Sequence, residues 1–255
     1  AFEAELILAY HLGKDRTYLL IHDMDTFDHV EEFKKLIERR ALHEPYEYIV
    51  GSASFYDIHL EVEKGVLIPR PETEILIDLV AEIIEKENIT RVAEIGVGSG
   101  AISIVLARKF PQLLIIATDI CDTPLKVAEQ NIKTFGLRKQ IELRKSNLLD
   151  DVREELDLVV SNPPYIAEDF LLESNVVDYE PQEALFGGKV GDELLKQIIL
   201  DVKAKGVKYL ACEMGYDQKE PLQGFVNEIG VEYIRFYKDL AGFDRGFVIK
   251  FNEGK

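Results

Sequence analysis

The sequence predicts an α/β protein: an open, doubly wound sheet of seven strands with an antiparallel last strand, preceded by a small N-terminal helical domain and a linking β-hairpin. Three observations predict it. From residue 72 onward, short runs rich in Val, Ile and Leu alternate with stretches of helical period, the pattern of parallel strands sandwiched between helices. The last two apolar runs are joined by a loop too short for the crossover that parallel strands need, so they must pair antiparallel. The first fifty residues, by contrast, carry helical periodicity only.

A short helix is expected around 2-FEAELILAYHL-12. In 26-TFDHVEEFKKLIERRAL-42, Phe27, Val30, Phe33, Leu36, Ile37 and Ala41 recur at three- and four-residue steps, which is one face of a helix. Residues 1–50 therefore read as a helical domain. The period then changes to two. In 55-FYDIHLEV-62, Tyr56, Ile58, Leu60 and Val62 alternate with Phe55, Asp57, His59 and Glu61. With Glu63, Lys64 and Gly65 as the turn and 66-VLI-68 as the return, residues 51–71 are expected to hold the hairpin. Residues 72–255 make the third unit. Helix 74–86 leads to strand 91-RVAEI-95, helix 99–110 to strand 113-LLIIAT-118, and helix 124–135 to strand 140-QIELRK-145. Thr123 is placed to cap that third helix, Pro124 to open it and Gly136 to end it. Strand 156-LDLVVS-161 precedes a long loop. Helix 191–205, strand 207-VKYLACEM-214, helix 218–229 and the final pair 231-VEYIRFYK-238 and 246-GFVIKF-251 complete the fold.

Composition narrows the function classes. Of 255 residues, 47% are apolar and 30% charged, as in a soluble globular protein with a sizeable core. No apolar run approaches the roughly 18 residues a bilayer span needs. No cationic-then-apolar leader is visible, so a cytoplasmic protein without membrane contact is expected. A net charge of −17 disfavours the phosphate backbone of nucleic acid as a partner. The nearest basic run, 34-KKLIERR-40, reads as the solvated side of an amphipathic helix. Cys121 and Cys212 stand alone and the five histidines sit in the first quarter without a motif, so neither a disulfide nor a metal site is expected.

Two segments carry chemistry at strand ends. The first is 94-EIGVGSG-100, where Gly96, Gly98 and Gly100 alternate with Val97 and Ser99 between a strand and a helix. Glycines there let the backbone turn tightly and approach a ligand, at the edge where open α/β sheets bind. The spacing is not that of the dinucleotide fingerprint, because position 101 is Ala101. An ordinary strand-to-helix turn remains the alternative. Strand two then ends in Asp119, which can accept two ribose hydroxyls or simply cap a helix.

The second segment is 162-NPPY-165, directly after the strand 157-DLVVS-161. Pro163 and Pro164 stiffen the backbone and remove two N–H donors. The Asn162 side-chain oxygen and the Pro163 carbonyl can then converge on one –NH₂ group, with Tyr165 offering a flat face. Such a socket suits a planar amide or aromatic amine. An amide nitrogen is a weak nucleophile because its lone pair is delocalised into the carbonyl. Positioning against an activated electrophile can supply roughly 7–11 kcal/mol of barrier lowering, without a metal.

The glycine loop resembles the first motif of S-adenosylmethionine-dependent methyltransferases, and a seven-stranded sheet ending in an antiparallel hairpin resembles their common fold. More narrowly, 45-PYEYIVG-51, 66-VLIPRPETE-74, 162-NPPY-165, 179-YEPQEALFGG-188, 213-EMGYDQ-218 and 239-DLAGFDRGF-247 resemble, in one order, the release factor glutamine methyltransferases, the PrmC (HemK) family. The resemblance implies methyl transfer from S-adenosylmethionine to the side-chain amide of the glutamine in the Gly-Gly-Gln loop of peptide-chain release factors. It implies catalytic roles for Asn162, Pro163 and Tyr165, with Pro164 also holding the substrate. It assigns the cofactor to Gly96, Val97, Gly98, Ser99, Gly100, Asp119, Asn147, Leu148, Asn162 and Thr73. Arg70, Glu72 and Thr73 would help close the site, Glu180 and Pro181 would shape a loop over the substrate, and the helical domain would dock the release factor. Because the same tetrapeptide occurs in methyltransferases of exocyclic base amines, a nucleic-acid substrate is the alternative. The charge and the absence of a base-recognition domain argue against it.

Overall fold

In the computed structural model, which describes residues 2–252, the chain opens with four helices: α1 (Phe2–Leu12), α2 (Arg16–Ile21), α3 (Val30–Ala41) and α4 (Tyr46–Val50). Residue 1 and residues 253–255, the outer ends of the first and third expected units, lie outside the described residues. Asp15 caps α2 by accepting from Tyr18 N at 2.8 Å. The helix expected from residue 26 starts later, at Val30, because His29 before it takes a left-handed φ of 61°. Phe27 still packs as the pattern requires, in a ring cluster with His11 and Phe33. Arg40 donates twice to Glu3, at 2.9 and 3.0 Å, and ties α3 to α1.

The hairpin lies upstream of its expected place. Its arms are β1 (Ser52–Phe55) and β2 (Ile58–Glu61), and 66-VLI-68 is not a strand. Alternation through 55–62 concealed a two-residue turn at Tyr56 and Asp57. Tyr56 adopts φ 51°, unusual for a bulky residue. The next element, α5 (Thr73–Glu87), holds it there. Tyr56 N donates to Glu74 at 2.8 Å, and its hydroxyl donates to Asp78 at 2.6 Å. The tertiary bonds offset the local strain.

The main sheet is built from β3 (Arg91–Ile95), β4 (Leu114–Asp119), β5 (Ile141–Lys145), β6 (Leu158–Ser161), β9 (Tyr209–Glu213), β10 (Tyr233–Lys238) and β11 (Asp244–Lys250). Between β6 and β9 lie the short helix α8 (Ser174–Val177) and, on either side of it, β7 (Ile166–Ala167) and β8 (Phe186–Gly188), a small parallel pair too short to leave a periodic signal. The order across the sheet is β10-β11-β9-β6-β3-β4-β5, with seven strands as expected. Only β11 runs antiparallel to its neighbours. Helices cover both faces. On one side α5, α6 (Ala101–Lys109) and α7 (Asp122–Thr134) pack over Val92, Leu158 and Val160. On the other, α9 (Glu193–Ala204) and α10 (Lys219–Ile229) pack over Ala93, Ile95 and Val159. These strand side chains are all but fully buried, at roughly 1.5–3 kcal/mol for each large one.

Helix α7 begins two residues earlier than expected, at Asp122, with Cys121 rather than Thr123 at its N-cap. Pro124 is tolerated within the first turn, where N–H groups have no helical partner anyway. Gly136, at φ 70°, follows its end as expected. The chain leaves β3 toward β4 on one side, while β6 lies on the other. A crevice therefore opens at the carboxyl ends of these strands.

Candidate active site

That crevice is a cavity of about 300 Å³. Its floor is the glycine loop. Gly96 and Gly98 have φ of 75° and 54°, and nothing lies within 4 Å of where a Cβ would sit, so backbone conformation alone demands glycine there. Gly96 N and Val97 N both donate to Thr118 O at 2.9 Å, locking the loop to β4. Gly100 has a different place from the one expected. It caps α6, a Cβ there would press on Ile104 and Ala128, and it does not line the cavity. Val97 and Ser99 do line it.

Asp119 lines the cavity from the end of β4. One carboxylate oxygen accepts from Gly98 N at 3.3 Å and the other from Cys121 N at 3.0 Å. Each oxygen keeps a lone pair for a further donor, enough for two vicinal hydroxyls. Burial raises its pKa, against the pull of those backbone donors. Beyond β5, Ser146, Asn147 and Leu148 form another wall. Leu148 sits at φ 48°, a left-handed conformation held by the Thr118 hydroxyl, which donates to its carbonyl at 3.0 Å. Asn147 donates to Asp150 at 3.2 Å. Together with Ile102 and Ile120 they offer a flat ring an apolar slot.

The tetrapeptide leaves β6 at Ser161, whose hydroxyl donates to Ile95 O at 2.8 Å and joins the ends of β6 and β3. Asn162, Pro163 and Pro164 line the cavity, as does Thr73 at the start of α5. Asn162 Nδ2 donates to Thr73 Oγ1 at 3.0 Å, which leaves the Asn162 oxygen free to accept. Tyr165 is not in the cavity wall. Its carbonyl accepts from Gln218 at 2.8 Å, its ring packs into the core beneath α9 and α10, and its hydroxyl pairs with Arg245. Held at both ends, the ring does not present its face to the cavity.

Several positioning contacts escaped sequence reasoning. A Cβ at Gly187 would come within 2.5 Å of Pro164 O, and one at Gly191 within 2.5 Å of Tyr165 O, so these glycines clamp the tetrapeptide from behind. Glu180 pairs with Arg70 and accepts from Ile68 N at 3.2 Å, binding the segment before α5 to the loop after β7. Asn131 on α7 donates to Ser99 O at 2.9 Å and to Glu61 O at 3.0 Å, and accepts from Glu61 N at 2.8 Å, so it couples the hairpin to the glycine loop. Glu94 lines the cavity while almost fully buried; burial pushes it up to about 8, against two donors from Ser103. Glu213, at the end of β9, is 1% exposed, and burial raises it to about 7, opposed by the Thr73 hydroxyl and Arg245. The sequence places Glu94 at the head of the glycine motif and Glu213 at the head of 213-EMGYDQ-218, but their burial and raised pKa follow from tertiary packing.

The cavity suits a cationic, nucleoside-bearing group. Glu94, Asp119 and Glu183 line it with acid, Asp119 has capacity for a ribose, and the Leu148 side accepts a ring. Among the described residues no cluster of three or more His, Cys, Asp or Glu could hold a metal ion, and both cysteines are free. No helix among them is long and apolar enough to cross a membrane.

Residues 1–51 match the PrmC N-terminal domain family, and residues 72–178 match the Methyltransferase small domain family. A protein of Clostridium botulinum named release factor glutamine methyltransferase is 37% identical over 254 residues, covering 95% of this chain and 89% of its own. One of Dictyoglomus turgidum with the same name is 42% identical over 249 residues, covering 95% and 88%. Among solved structures, the N-terminal domain of human METTL16 in complex with SAH superposes with a TM-score of 0.58 at 21% identity, over 76% of this chain and 75% of that one. The hMettl16 catalytic domain in complex with a MAT2A 3'UTR hairpin does so at 0.63 and 20%, over 77% and 76%. At these identities the two structures speak to the fold alone.

Proposed function

The chain belongs to the family of release factor glutamine methyltransferases, and on that premise we propose that it methylates the glutamine side-chain amide in the Gly-Gly-Gln loop of peptide-chain release factors. Its cofactor is S-adenosylmethionine, which supplies a methyl group already activated on a sulfonium. The observation that carries the reading is the free acceptor of Asn162 beside a donor-less proline backbone on the wall of the cofactor cavity.

Each residue has a task in this scheme. Asp119 would hold the ribose, the Gly96–Gly98 loop would lie along the amino-acid end, and Glu94 would line the cavity beneath it. Leu148 and Asn147 flank the base. The Asn162 oxygen and the Pro163 carbonyl accept the two hydrogens of the substrate amide. That would fix its plane and favour rehybridisation of nitrogen as it accepts the methyl group and releases one proton to solvent. Pro164 stiffens the socket. Tyr165 acts from behind it, through Arg245, and not as a stacking face. The Arg70–Glu180 pair holds the segment carrying Thr73 over the cavity, and helices α1 to α4 present the surface that receives the release factor. Acting on a translation factor places the protein in the cytoplasm. The net charge of −17 continues to argue against a nucleic-acid substrate.

The test is incubation with methyl-labelled cofactor and purified release factors. Label should enter the wild-type factor and be absent when the loop glutamine is replaced by alanine. Label in RNA or DNA alone would refute the assignment.

A further inference from the structure

Behind the socket lies a buried polar cluster that the scheme above does not use. Glu213 Oε1 and the Tyr237 hydroxyl are buried, and neither has a hydrogen-bond partner. Both belong to one place. Glu213 on β9 pairs in register with Gly246 on β11, and a side chain at Gly246 would collide with the Tyr237 hydroxyl. Buried polar atoms are nearly always satisfied, so two orphans against one functional residue call for a reason. The Thr73 hydroxyl contacts the Glu213 carboxylate, and Thr73 is also the partner of Asn162.

We propose that Glu213 is a positioning residue that sets the hydrogen-bond polarity of the substrate socket, acting on Asn162 through Thr73. An asparagine amide can present either its oxygen or its –NH₂ to a cavity, and only the oxygen can receive a substrate amide. The choice rests with Thr73, which has one proton and two lone pairs. When that proton goes to the Glu213 carboxylate, Thr73 can only accept, and Asn162 must turn Nδ2 toward it. The Asn162 Nδ2–Thr73 Oγ1 bond of 3.0 Å has that orientation. When Glu213 is protonated or absent, Thr73 is free to donate to the Asn162 oxygen. The –NH₂ of Asn162 then faces the –NH₂ of the substrate, donor against donor.

The groups around the carboxylate suit this role. Arg245 on β11 and Arg70 before α5 favour the charged form, Glu72 opposes it, and Tyr165, Tyr237 and Cys212 lie close by. Arg245 is itself committed to Asp239, at 2.9 and 3.1 Å, so Glu213 is not consumed in a structural ion pair. Burial brings the carboxylate to about 7, so protonation falls within the working range.

The inference rests on the glutamine reading, and the test separates the two. The variants are Glu213→Leu, Glu213→Gln, Thr73→Val and Thr73→Ser, assayed on release factor from pH 5.5 to 8.5 at saturating cofactor, with cofactor affinity from calorimetry. Glu213→Leu should lose about tenfold or more in kcat with cofactor Kd within about twofold of wild type, and Thr73→Val should lose kcat to a similar extent. Thr73→Ser keeps the hydroxyl and should retain activity. Wild-type kcat should fall as the pH drops through about 7. Glu213→Gln carries a donor and no charge, as the protonated carboxyl does, so it should resemble wild type at low pH across the whole range and show no acid limb. A wild-type acid limb that persists in Glu213→Gln, or a kcat loss in Glu213→Leu matched by a loss of cofactor affinity, would overturn the inference alone. Wild-type enzyme that leaves the glutamine unlabelled would overturn the reading beneath it.

Discussion

Asn162 concentrates the chemistry at the scale of a single residue. Its Nδ2 is spent on Thr73, so its oxygen is the one side-chain acceptor it can offer the substrate. Asn162→Ala should therefore lower kcat by about 10²–10³, the usual effect of removing one pre-organised polar group, while cofactor Kd changes little. Equal losses in both would mean that its work is cofactor binding. Glu94 gives a second residue-scale prediction, in stability. Burial raises its pKa from an ordinary 4.5 to about 8 in the folded chain. Between those values the native state holds a proton that the unfolded chain has released. Stability is therefore lost as pH rises through that window. Glu94→Gln should raise Tm relative to wild type at pH 8 and hardly at all near pH 4.5, measured by calorimetry without cofactor. Parallel pH curves for the two proteins would contradict the account.

Short elements, not the large sheet, aim the site. The tetrapeptide is held from behind by β8 and the turn after it, where Gly187 and Gly191 leave no room for side chains. A Cβ at Gly187 would lie 2.5 Å from both Pro164 O and Gly191 O, so Gly187→Ala must displace the tetrapeptide, the turn after β8, or both. A displacement near 1 Å can cost about 10²-fold in rate, so kcat should fall steeply while the fold, read by circular dichroism, persists. The segment leading into α5 is held differently. Glu180 is almost wholly buried and serves both Arg70 and Ile68 N. Glu180→Ala leaves that N–H unpaired and Arg70 unneutralised. Because Arg70 is 35% exposed and water can reach it, the cost should sit at about 1–3 kcal/mol, below that of a fully buried pair. Denaturant unfolding would measure it, and an unchanged midpoint would show that the pair carries no weight.

For the whole molecule, the site is a seam among separate parts of the chain. The glycine loop, the ends of β4, β5 and β6, the segment before α5 and the loop after β7 all meet at one cavity. Asn131 bonds hairpin to glycine loop, and Glu180 bonds the α5 lead to the loop after β7. A ligand that fills the seam should stabilise all of these together. At a hundredfold excess over Kd, cofactor should add about 2.7 kcal/mol and raise Tm by roughly 5–10 °C. Asp119→Ala, which removes the ribose acceptor, should abolish most of that shift. A full shift in this variant would move the ribose elsewhere.

The order of the seven main-sheet strands and the helices between them, the antiparallel end of the sheet, the glycine turn and the tetrapeptide were legible in the sequence. Each rests on a local cause: side-chain period, loop length, a glycine's freedom or a proline's missing donor. Fold and candidate cavity followed, with Gly96, Gly98, Asp119, Asn162 and Thr73 all lining it. What only the tertiary structure decided depends on partners far apart in the chain. The hairpin turns at Tyr56 because Glu74 and Asp78 hold it there. Tyr165 faces away because Arg245 and Gln218 claim it. Asn162 presents its oxygen because Thr73, 89 residues earlier, takes its amide hydrogen. Periodicity reports what one segment buries; it is silent about which distant hydroxyl or carboxylate will meet it there.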